Sequence, residues 1–70
     1  MSRYYLADEG ITAEARDYFD ELSYEGPPIR YYWRGKGDDW QLWVNKADRE
    51  VFERFYKVVK DRWYEDSALL

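Results

Sequence analysis

Three patterns predict an α+β fold with element order β-α-β-β-α. A helical apolar stripe marks a helix over residues 13–24, alternation on both sides of a turn marks a hairpin over residues 29–44, and a longer helical stripe covers residues 46–65. A short strand-forming run precedes them. Each helix has one apolar stripe and the hairpin has one apolar face. The simplest packing is a three-stranded sheet with two helices on one face. Residues 1–70 make one domain, with a frayed tail expected at 66–70.

The first element is Arg3-Tyr4-Tyr5-Leu6-Ala7, closed by Asp8-Glu9-Gly10. It reads as a strand over residues 2–7. Its partner strand and direction stay open. Thr12 is a good N-cap for the first helix. Ile11, Ala15, Tyr18, Phe19 and Leu22 recur at helical spacing. Gly26 suits a left-handed residue after the last turn, and Pro27-Pro28 ends the helix.

In the hairpin, Ile29, Tyr31 and Trp33 alternate with Arg30, Tyr32 and Arg34. Gly35 to Asp39 supplies turn residues. Trp40, Leu42 and Val44 then alternate with Gln41 and Trp43. Pairing Trp33 with Leu42 and Tyr31 with Val44 puts every apolar position on one face. The other face then carries Arg30, Tyr32, Arg34, Gln41 and Trp43, with Tyr32 across from Trp43.

Asn45 is the expected cap of the last helix, with Asp48 three residues on. Val51, Phe55, Val58 and Val59 form its expected main stripe, widened by Phe52, Tyr56 and Trp63. Acids come early and bases late, as the helix dipole favours. Glu50–Arg54 and Glu53–Lys57 are expected i,i+4 pairs, worth about 0.2–0.5 kcal/mol each.

Fifteen aromatic residues stand beside no histidine and no cysteine. Surplus aromatics supply contact area, and each buries roughly 150–250 Å². Without His or Cys, a Ser-His-Asp or Cys-His arrangement is impossible and zinc lacks its usual ligands. The four glycines match no phosphate-cradling loop. No enzyme activity, cofactor or metal is expected. Absence of cysteine and of long apolar runs predicts a cytoplasmic chain outside the membrane.

Formal net charge is −4, unevenly spread. Residues 1–26 hold seven acids against Arg3 and Arg16. Residues 27–46 hold Arg30, Arg34, Lys36 and Lys46 against Asp38 and Asp39. Two candidate surfaces follow. Glu14, Asp17, Asp20 and Glu21 on the first helix form a carboxylate row, which Asp8, Glu9 and Glu25 extend. Such a row imitates phosphates, or simply solvates a helix face. Arg30, Tyr32, Arg34 and Trp43 on the outer hairpin face are residue types of interface hot spots. They equally suit a cross-strand pair that only stabilises the hairpin, or stacking on single-stranded nucleic acid. Phe19, Trp33, Trp40, Phe52, Phe55 and Trp63 fall on inward stripes. Tyr4, Tyr5, Tyr18, Tyr24, Tyr31, Tyr56 and Tyr64 are expected at the boundary, rings buried and hydroxyls wet.

The expectation is an acidic, non-enzymatic protein-binding module that inhibits a larger partner by occluding its basic nucleic-acid-binding groove. In size and charge alone it is similar to small phage-encoded inhibitors of host machinery, anti-CRISPR proteins among them. Single-stranded nucleic-acid binding through the hairpin, and a structural homo-oligomer such as a homodimer, are the alternatives. Nucleic acid is the less favoured partner, because the acidic remainder repels a phosphate backbone.

Overall fold

The structure is a computed structural model that describes residues 2–68. Strands β1 (Tyr4–Ile11), β2 (Tyr31–Lys36) and β3 (Asp39–Asn45) form one antiparallel sheet in the order β1-β3-β2. Helix α1 (Ala13–Tyr24) follows β1, and a 3-10 turn (Lys46–Asp48) leads into α2 (Arg49–Ala68). The expected β-α-β-β-α order and α+β class are present, with both helices packed against the central strand β3. The direction of the first strand, which the sequence left open, is antiparallel to β3.

The hairpin has the register that alternation demands. Tyr31 pairs with Val44, Tyr32 with Trp43 and Trp33 with Leu42. Leu42 and Val44 are fully buried. A two-residue turn, Gly37-Asp38, joins the strands. Gly37 stands first in it with φ 58°, the left-handed setting that a mirror-type hairpin turn requires there. Gly35, with φ 141°, is more constrained, because a Cβ there would collide with the Asp39 carbonyl and the Trp40 Cα.

Expectations about where elements begin and end need correction. The first strand spans 4–11 rather than 2–7. Its pairing shifts register between Leu6 and Asp8 and again between Asp8 and Ile11, so bulges absorb the polar residues that looked like a terminator. Ile11 therefore ends a strand instead of starting the helical stripe, yet stays in the core. Gly26 is not left-handed. Its lack of a side chain serves close packing, since a Cβ would lie 2.9 Å from Phe55 Cε1. Lastly, the final helix begins as a 3-10 turn and runs on to Ala68, so residues 66–68 are helical. The rest of the expected tail, residues 69–70, lies outside the described residues.

Thr12 caps α1 by accepting from the Ala15 N–H, and Asn45 accepts from the Ala47 N–H. The buried core comprises Ile11, Phe19, Leu42, Val44, Phe52 and Val59. Trp33, Trp40 and Phe55 pack partly buried against it, and Trp63 meets Tyr18 edge-on. The inward side of α2 is centred on Phe52, Tyr56 and Val59. Val51 and Val58, expected in the main stripe, are 46% and 53% exposed. Among ion pairs on α2, Glu50 bonds Arg54 as expected, while Glu53 pairs backwards with Arg49 rather than with Lys57.

Phe19→Ala should cost about 3–5 kcal/mol, read by chemical denaturation, because truncation empties the centre of the core. Gly35→Ala should destabilise by at least about 1–3 kcal/mol from backbone strain alone, and by more than Gly37→Ala, whose Cβ meets nothing within 4 Å.

Candidate functional site

Antiparallel strands alternate their side chains between faces, so the residues beside the core positions of the hairpin point away from the helices. Tyr32 and Trp43 stack on that outer face, ring centroids 6.2 Å apart and 5° from parallel. The Arg34 guanidinium lies 5.9 Å from the Trp43 ring centroid. The Trp43 indole N–H donates to Gln41 Oε1 at 3.1 Å. β1 adds two residues that sequence reasoning did not place there. Tyr4 meets Tyr32 edge-on at 5.0 Å, and Leu6 pairs across from Trp43. The signal was the alternation of Tyr4 and Leu6 with Tyr5 and Ala7, unusable until β1 was known to flank β3. Trp43 is on the central strand and is half-buried, whereas Tyr32 and Leu6 are exposed.

Arg30 does not join this patch as a free cation. Its guanidinium bonds Asp48 at 2.9 and 3.2 Å, and its backbone N–H donates to the same carboxylate. These bonds hold the Asp48 carboxyl below its ordinary value of 3.8. Asp48 thus ties the start of the hairpin to the 3-10 turn, rather than closing a capping box.

On α1, 100° per residue puts Glu14, Asp17 and Glu21 opposite the buried Phe19. All three are exposed. Asp17 pairs with its neighbour Arg16 at 3.0 Å, a surface contact worth little. Asp20 is separated from this row. Its Oδ1 accepts from the Tyr31 hydroxyl at 2.8 Å and from the Trp33 indole N–H at 2.9 Å. It fastens α1 to β2. Asp8, expected to extend the acidic surface, accepts from the Tyr56 hydroxyl at 2.6 Å. Glu9 and Glu25 are exposed.

The tyrosines divide by the same logic. Tyr18, Tyr31 and Tyr56 each donate to a carboxylate, of Asp66, Asp20 and Asp8 respectively. Burial first, and the nearby carboxylate second, raises the pKa of Tyr18 and Tyr56; burial also leads the rise at Tyr31. Tyr5 departs from the expected wet hydroxyl, because its oxygen is buried without a partner among the described residues and its ring lies under Arg49. Tyr24 and Tyr64 are 90% and 68% exposed, so they are surface residues rather than boundary ones.

Among the described residues no group of three acidic side chains is placed to hold a metal ion. No helix among them is long and apolar enough to cross a membrane. No protein family, curated protein or solved structure matches this chain.

A group held below its ordinary pKa by folding contributes stability above that value and loses it as pH falls through the folded one. Melting curves recorded by circular dichroism from neutral pH into strong acid should therefore show Asp48→Asn less stable than wild type at pH 7. The gap should close as Asp48 protonates below pH 3.8. A constant gap across the range would assign the effect to lost packing.

Proposed function

We propose that this chain is a non-enzymatic module, acting in the cytoplasm, that binds a larger protein with a basic surface. Binding would block the nucleic-acid-binding groove of that partner. The observation supporting this reading is the exposed row Glu14, Asp17 and Glu21, continued by Glu25, on the side of α1 turned from the core. A helix rises 1.5 Å per residue, so one carboxylate stands every roughly 4–6 Å along this row. A nucleic-acid strand carries a phosphate about every 3.4 Å. The row is thinner than a phosphate strand, and it competes through charge more than through shape. Paired signs would speed encounter and make binding sensitive to salt.

Asp20 and Asp8 drop out of the contact set under this reading, because both serve internal hydrogen bonds. The outer sheet face gives a second contact. Tyr32, Trp43, Tyr4 and Leu6 present a flat aromatic and aliphatic area with Arg34 at its rim. The helices lie on the other side of the sheet, so the two surfaces point in opposite directions. A partner engaging one leaves the other open to a second chain.

The test is capture from host extract on immobilised protein, eluted along a salt gradient and read by mass spectrometry. Wild type should retain a basic nucleic-acid-binding protein that elutes early in salt. Glu14→Lys/Asp17→Lys/Glu21→Lys should lose it, with an unchanged melting temperature. Equal retention by both would reject the charge-mimic reading. In parallel, mixed-sequence oligonucleotides should leave tryptophan fluorescence unchanged at low salt. Quenching that disappears in Trp43→Phe would favour the single-stranded nucleic-acid alternative instead.

A further inference from the structure

A groove of about 720 Å³ runs between the C-terminal half of α1 and the middle of α2. Glu21 and Leu22 of α1, with Glu25 at its C-cap, form one wall, and Phe55, Val58 and Arg62 of α2 form the other. Val58 is more than half exposed, and Val51 lies two turns earlier on the same side of α2 with Phe55 between them. Val51 and Val58 therefore stand open to solvent on either side of the half-buried Phe55 on α2, beside a carboxylate rim at the end of α1.

The chemistry of the walls selects the occupant. Both walls are helices, whose backbone groups are bonded internally. An extended peptide would find no strand edge here, and its own backbone N–H and C=O groups would be left unpaired. A helix brings its backbone bonds with it and packs against two others at the usual 8–10 Å. Charge selects further. Glu21 and Glu25 outnumber Arg62 at the rim. The last turn of α1 has no basic residue, so the negative end of its dipole adds to the same field.

We infer that this groove binds an amphipathic α-helix of a partner protein. The apolar face of that helix lies on Leu22, Phe55 and Val58, and lysines or arginines along its flank meet Glu21 and Glu25. The inference rests on the protein-binding reading above and names the segment bound.

The probe is a synthetic leucine–lysine amphipathic helix of about 15 residues, titrated into isotope-labelled full-length protein and followed by NMR. A leucine–glutamate peptide of the same pattern is the control. The leucine–lysine peptide should bind saturably and shift resonances of Leu22, Phe55 and Val58, while the control should not bind. Val58→Asp should weaken binding about tenfold or more without lowering the melting temperature. Glu21→Lys/Glu25→Lys, on exposed sites, should exchange the preference between the two peptides. Binding unaffected by Val58→Asp, or shifts confined to Tyr32 and Trp43, would overturn the inference. So would self-association of the free protein that Val58→Asp abolishes, since the groove would then belong to a second copy. Glu14→Lys/Asp17→Lys separates the two proposals. If the groove is right, this variant keeps the peptide even where it loses the captured partner. Capture that depends on Glu14 and Asp17 but ignores Val58→Asp would remove the groove and leave the charge-mimic reading standing.

Discussion

Phe19 sits at the one point where all layers of this small domain meet. Its ring lies edge-on to Tyr31 and Trp33 from β2 and to Phe55 and Tyr56 from α2, with centroids 5.0 to 5.7 Å away, and tilted against Phe52. A domain of this size buries a modest share of its surface, so it leans on a few large side chains. Edge-to-face geometry suits that demand, because each ring presents its positive edge to the negative face of another. Since α1 holds this ring inward, Glu14, Asp17 and Glu21 must face outward. The exposed acidic row is thus a consequence of the core.

The hydroxyls and indole N–H groups around that hub create a second constraint. Crowded aromatics bring polar tips to the edge of the core, where each one needs an acceptor. Asp20, Asp8 and Asp66 supply them for Tyr31, Trp33, Tyr56 and Tyr18. Part of the acidity that composition suggests is for partners therefore serves the fold. Among the described residues Glu14, Asp17, Glu21 and Glu25 accept from none of these aromatic groups and are the part left for charge complementarity. This division sharpens the candidate surface from a general acidic face to one side of one helix.

The two-layer build also separates chemistry in space. The outer sheet face is aromatic and weakly basic, while the helix layer is acidic with an apolar groove between its helices. These surfaces face apart and differ in the partners they would suit. A flat aromatic sheet favours broad contact with low loss of side-chain entropy. A groove rimmed by carboxylates favours one shaped, cationic segment.

Local patterns determined a good deal without help. The limits of α1 follow from Thr12 and from Pro27-Pro28, and the hairpin register follows from alternation, because a slip by one residue would turn Leu42 and Val44 to water. What tertiary structure alone decided concerns choices that several local patterns satisfy equally. β1 runs through Asp8-Glu9-Gly10 because bulges beside β3 keep Ile11 in the core, a fit no short-range signal encodes. The rotation of α2 was ambiguous, since Val51, Phe52, Phe55, Val58 and Val59 offer more than one apolar side. Packing against Phe19 and β3 chose Phe52 and Val59, and left Val51 and Val58 in solvent. The fates of Asp20 and Asp48 depended on donors 11 to 18 residues away in the chain, which become neighbours only once the sheet and helices have met.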